Sequence, residues 1–210
     1  MTPKSIFVAT AALATLAACG GGGTGSGGAT RYATEFANLQ AAFAGPSGTA
    51  PIYFTPQANL PGGTATYRGV AAFNFGFSDG FEPPAPGGDL NDLLAGMTVS
   101  AGDFDAYMGA LTMNVNFAGN TLTGSVRNFE TLEGRSVSGS LTISGGSLTT
   151  AQNTTEIGGA YAATAAGSIA GDARTFDVSG NVLGETGEGL SVYFEGTGET
   201  EGGGTGMAAR

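Results

Sequence analysis

The sequence predicts an all-β protein, an antiparallel barrel of about eight strands preceded by one short helix. Three observations point there. From Thr64 onward, apolar and polar residues alternate with a period of two in one short stretch after another, as in strands with one buried face. Glycine makes up 39 of 210 residues without a G-X-Y period. Much of it falls at the apolar positions of those stretches, where it lets strands curl and neighbouring side chains fill a tapering interior. Ahead of these stretches, helical spacing appears instead in the segment 31–44. A two-sheet sandwich is the alternative architecture.

Taken in order, the chain opens on an export signal over residues 1–18. Lys4 supplies a positive start, and Ile6 to Ala18 form an apolar run too short to cross a bilayer as a stable helix. Leu16-Ala17-Ala18-Cys19 resembles the lipobox of bacterial lipoproteins, and Cys19 is the chain's single cysteine. That resemblance implies cleavage before Cys19, acylation of its thiol and amine, and durable anchoring at about 0.8 kcal/mol per buried methylene. Residue 20 is Gly rather than the Asp that commonly retains such proteins at the inner membrane, so an outer-membrane location is expected.

Residues 19–30 form the lipidated, Gly-rich tether, and its GGGGTGSGG stretch spans roughly 15–18 Å as a coil. Gly23, Gly25 and Gly28 match G-x-G-x-x-G, but neither a strand before them nor a βαβ unit around them supports dinucleotide binding. Residues 31–63 hold the helix and an extended lead-in. Tyr32, Phe36, Leu39 and Phe43 share one face between a Thr30 cap and a Gly45-Pro46 stop, so the helix should pack on the barrel or plug one end.

The barrel is expected over 64–206. Tyr67, Gly69, Ala71, Phe73, Phe75 and Phe77 share one face of the first strand, opposite Thr66, Arg68 and Asn74. Tyr107, Gly109, Leu111, Met113, Val115 and Phe117 line the second. Ala118-Gly119-Asn120 turns it into a third strand with Leu122, Gly124 and Val126. Further strands follow at Val137–Ile143, weakly at Ser147–Thr150, and at Ile157–Ala163, Phe176–Val182 and Leu190–Phe194. The interior should be filled by Phe73, Phe75, Leu111, Met113, Leu141 and Val178.

TATYRG (64–69), NFAGNTLTG (116–124) and GLSVYFEGTGETEGG (189–203), in this order, resemble the β-barrel domain of transferrin-binding protein B-like surface lipoproteins. The likeness covers roughly 60–206. It implies an eight-stranded barrel on the cell surface that captures a protein partner: an iron or haem carrier, another host or environmental protein, or an outer-membrane receptor. The chain departs from the family at Tyr193-Phe194-Glu195-Gly196-Thr197, where a proline is expected, and it lacks a full handle domain. Fold and location are therefore carried over, and no binding residues. A structural envelope lipoprotein without a specific ligand remains an alternative. An integral outer-membrane barrel is another, disfavoured by the absence of tryptophan and by the Arg210 terminus.

Chemistry is restricted by what the chain lacks. It has no histidine, and its one cysteine is the expected lipid attachment point, so His-dependent nucleophilic catalysis and His-rich zinc sites are excluded. No cofactor motif is present, and a non-catalytic protein is expected. Once Lys4 leaves with the signal, six arginines face 17 acidic residues, a balance that repels nucleic acid. The carboxylate pairs Asp103/Asp105, Glu130/Glu133, Glu185/Glu188 and Glu199/Glu201 read as solvated strand ends. The candidate partner-binding loop is Ser78–Asp103, 26 residues between two clear strands. In it, Phe81 precedes the stiffening Pro83 and Pro84, while Asp79, Glu82 and Asp92 favour a basic partner surface. Asp89 can cap a short helix with Leu90, Leu93, Leu94 and Met97 on one side, and that helix could instead lid one barrel mouth.

Overall fold

A computed structural model describes residues 31–43, 55–75, 105–152, 157–200 and 202–210. The period-two alternation does produce a closed antiparallel barrel, in which each strand pairs with its sequence neighbours and the last pairs with the first. The strands are β1 (Thr64–Phe75), β2 (Asp105–Asn116), β3 (Thr121–Thr131), β4 (Ser136–Gln152), β5 (Ile157–Ile169), β6 (Asp172–Leu183), β7 (Gly189–Gly196) and β8 (Gly203–Ala209). Helix α1 (Arg31–Phe43) and a single 3-10 turn (Gln57–Asn59) precede them.

The eight strands differ from the expected eight at two places. The stretches 137–143 and 147–150 are one strand, β4, which kinks where its pairing with β5 slips between Ser144 and Ser147. The remaining strand is β8, whose sequence GGTGMAA carries almost no alternation and runs on to Ala209. It closes the barrel between β7 and β1, in the pairs Val192↔Gly206 and Ala71↔Gly206. Strand edges that would invite foreign pairing are thereby removed.

The interior is a packed apolar core. Phe73, Phe75, Leu111, Met113, Leu141 and Val178 are all buried there as expected. Phe73 lies at its centre, with ring centroids 4.9 Å from Phe194, 5.5 Å from Phe176 and 5.8 Å from Phe129. The outer wall of β3 to β6 presents Thr123, Arg127, Ser140, Thr142, Thr164 and Asp177 to solvent. A membrane-spanning barrel carries an apolar band on that side.

Two apolar surfaces lie outside this core. Val70 and Ala72 of β1, Met108 of β2 and Met207 of β8 point outward, yet are buried beneath α1, against Tyr32 and Phe36. The helix therefore packs on the outer wall rather than in a mouth. What seals the rim where β1 begins, here the lower rim, is the lead-in: Leu60 packs against the core, and Thr55 is pinned to β6 and β5. Its amide donates to the Val182 carbonyl at 2.9 Å, and its own carbonyl accepts from the Gly159 amide at 3.1 Å.

At the opposite, upper rim, β5 turns into β6 through Ala170-Gly171 alone, with φ of 57° and 93°. Both residues are left-handed, the geometry of the two-residue hairpin turn that Asn-Gly suits best. Alanine is strained there, so Ala170→Asn should stabilise the fold by up to about 1 kcal/mol. Thermal melting should rise by about 2–4 °C.

Candidate functional site

The upper rim is where the chain leaves the barrel for its longest excursion. Phe75 and Asp105 are register partners at the end of the β1–β2 ladder, so residues 76–104 depart from and return to adjoining positions. The other turns of that rim with described residues are short: 132–135, 170–171 and the link from Gly196 to Gly203. Asp79, Phe81, Glu82, Pro83, Pro84 and Asp92, with the Asp89 segment, lie outside the described residues, and so does Cys19.

What the structure does bring together at this rim is an aromatic–cation group. Inward positions of β6 run Arg174, Phe176, Val178, so an arginine occupies an inward position at the strand's end. Its guanidinium lies 4.1 Å from the centroid of the Phe75 ring, and Nη2 pairs with Asp172 Oδ2 at 3.2 Å. Such stacking on a desolvated ring is worth up to about 2 kcal/mol. Arg174 Nε is buried with no hydrogen-bond partner among the described residues, as is Asn74 Oδ1 on the outer side of β1. Arg174 was legible in the alternation as a cation at an inward position, although it is not among the residues that the sequence analysis singles out.

The same rim is braced by the β7–β8 turn, which folds onto β6. Thr197 donates its amide to the Thr175 carbonyl at 3.0 Å, and Thr200 Oγ1 accepts from the Thr175 amide at 3.0 Å. On the outer side, β3 bulges at Asn128-Phe129, where its pairing with β2 slips from Met108↔Glu130 to Ala110↔Arg127. The bulge releases the Asn128 carbonyl from the ladder to accept the Tyr32 hydroxyl at 3.0 Å.

Elsewhere, several groups that could carry acid–base chemistry are in structural use. Glu130 pairs with Arg31 at 2.8 Å. Glu133 accepts from Thr131 at 2.7 Å, and that hydrogen bond leads the effects that lower its pKa. Glu188 accepts from the side chain and amide of Thr186. Burial opposes its ionisation, but the hydrogen bonds outweigh it and lower the pKa. Two inward tyrosines donate across the interior, Tyr67 to the Gly187 carbonyl at 2.8 Å and Tyr161 to the Ser191 carbonyl. Burial pushes Tyr67 up to about 12 and Tyr161 well above its ordinary value, so near neutrality both act as donors rather than bases. Among the described residues no three or more Asp or Glu side chains gather as a metal site.

No family model matches the chain, and no curated protein matches it. Among solved structures, the chain is similar to a point mutant of the vaccine antigen transferrin binding protein B from Haemophilus parasuis. The two are 16% identical with a TM-score of 0.42, and the match covers 74% of this chain but only 28% of that one.

Proposed function

We propose that this chain is a lipid-anchored, surface-exposed binding module whose barrel is a rigid, non-catalytic scaffold and whose partner is a protein. The observation that carries this reading is the filled interior. With Tyr67, Phe73, Phe129, Phe176 and Phe194 at 0–1% exposure, aromatic side chains occupy the interior where wider barrels hold a ligand. Recognition then falls to the outside, and the 29 residues inserted between Phe75 and Asp105 are the largest addition to the ladder. Within them, Asp79, Phe81, Glu82, Pro83, Pro84 and Asp92 are the proposed contact residues. The partner class suggested by the three strand motifs is an iron- or haem-carrying protein or an outer-membrane receptor.

Anchoring is tested through Cys19, which we propose is acylated and holds the protein at the outer membrane. Among the described residues no helix is long and apolar enough to cross a membrane. The unaltered protein should fractionate with membranes and enter the detergent phase, while Cys19→Ser should remain soluble or unprocessed. Identical partitioning of the two would remove the anchor.

Binding is tested by deleting residues 79–90 and measuring capture of transferrin and haemoglobin as probe carriers. A hot spot costs 2 kcal/mol or more, so capture should weaken by at least about 30-fold. Thermal unfolding should be nearly unchanged, because the β1–β2 ladder ends at Phe75↔Asp105. Unfolding of the barrel by the same deletion would make the segment structural.

A further inference from the structure

Helix α1 fixes the direction from which the chain reaches the barrel. Its first residues are latched at the upper rim. Arg31 pairs with Glu130 at 2.8 Å, and the Tyr32 hydroxyl donates to Asn128, both near the upper end of β3. Its last residue, Phe43, lies at the lower rim, where a Cβ added to Gly189 would meet the Phe43 ring at 2.3 Å. We propose that, with residue 19 held at a membrane, the protein stands with its upper rim toward the bilayer and its lower rim toward bulk solution. The orientation rests on the proposed acylation of Cys19.

Lengths decide between the two orientations. Eleven residues separate Cys19 from Arg31, and as a Gly-rich coil they would span about 20 Å. Strands of about 12 residues rising about 3.3 Å each, tilted by about 40°, make the barrel about 30 Å tall. Presenting the lower rim to the membrane would require the tether to run back along that whole height. This approaches its full extension of about 40 Å and sacrifices its chain entropy.

The described surface of the upper rim sets how closely it approaches the bilayer. Leu132, in its β3–β4 turn, is 41% exposed and is the one exposed large hydrophobic side chain among the described residues. Among the described side chains, the charges of the rim are Glu130, Glu133, Asp172, Glu195 and Glu199 against Arg31, Arg135 and Arg174. A net acidic rim is repelled by anionic headgroups within a Debye length of about 8 Å, which the tether exceeds. The rim therefore stands off the bilayer, so a partner of the insertion between Phe75 and Asp105 approaches from the membrane, as an embedded receptor, or from the side, as a soluble carrier.

The orientation is tested with one fluorophore at a time on an introduced cysteine, Ser136→Cys at the upper rim or Ala118→Cys at the lower. Energy transfer is measured to an acceptor on vesicle headgroups. The acylated full chain is compared with the soluble chain from residue 19 carrying Cys19→Ser and an N-terminal histidine tag, bound to nickel-chelating vesicles. Transfer should be stronger from position 136 than from 118 in both. The difference should vanish in Tyr32→Ala/Phe36→Ala, which frees the helix and lengthens the tether. Equal or inverted transfer in the tagged chain overturns the orientation. If the untagged chain carries no acyl group while the tagged chain keeps the order, the anchoring reading fails and the orientation stands.

Discussion

Gly180→Val is expected to destabilise the barrel strongly, lowering its melting temperature by about 10 °C or more. A Cβ at this position would lie 1.9 Å from the Ser191 carbonyl oxygen and 2.4 Å from the Tyr161 hydroxyl. The first is backbone of β7, so only separation of β6 from β7 relieves the contact. The second is the group that donates to that same carbonyl, so the side chain also breaks a buried hydrogen bond. Overpacking costs about 1–3 kcal/mol, and an orphaned buried polar group about as much again. Roughly 3–5 kcal/mol is a large part of the 5–15 kcal/mol that a domain typically has. Melting followed by circular dichroism should fall by about 10 °C or more. Gly62→Ala, with nothing within 4 Å of the added carbon, should change it hardly at all. A Gly180→Val protein that melts like the parent would mean that β6 and β7 do not approach this closely.

The barrel was legible because burial here is one-sided along most strands, and one-sided burial writes itself into the sequence as alternation. Legibility failed where burial is not one-sided. Gly69 to Phe75, GVAAFNF, is a continuous run in which Val70 and Ala72 are as dry as Ala71 and Phe73. A run of this kind is the mark of a strand covered on both faces, and here it coincides with the wall beneath α1. Strand β8 left no periodic trace because its glycines fit between close backbones: a Cβ on Gly204 would lie 2.5 Å from the Ala72 carbonyl oxygen. Contact, not hydropathy, sets its composition. The helix was legible from Tyr32 and Phe36, but its place was not, because the carbonyl that latches it is exposed by a bulge that only β2–β3 register reveals. The proposed binding residues are a third kind of case. Nothing in alternation specifies a partner, and Phe81 with its prolines stands out only by interrupting the pattern.

The filled interior is itself open to a direct test, since the functional reading depends on it. Phe73→Ala should cost about 3–5 kcal/mol, the ordinary range for emptying a buried aromatic site. Phe73 is fully buried and meets Phe75, Phe129, Phe176 and Phe194, so four rings lose a partner at once. Their positions on strands of a closed ladder prevent collapse into the gap, which keeps the cost toward the upper end. A melting temperature lower by about 10 °C is expected, with Phe73→Leu falling between the two. The space left is lined by apolar groups and should stay dry, so the variant should gain stability from benzene or xenon while the parent does not. Below its melting point the variant should still capture whatever partner the parent captures, because recognition is assigned to the outside. A parent protein stabilised by the same apolar probes would show that the barrel has an interior site, and recognition would then have to be sought among the inward side chains.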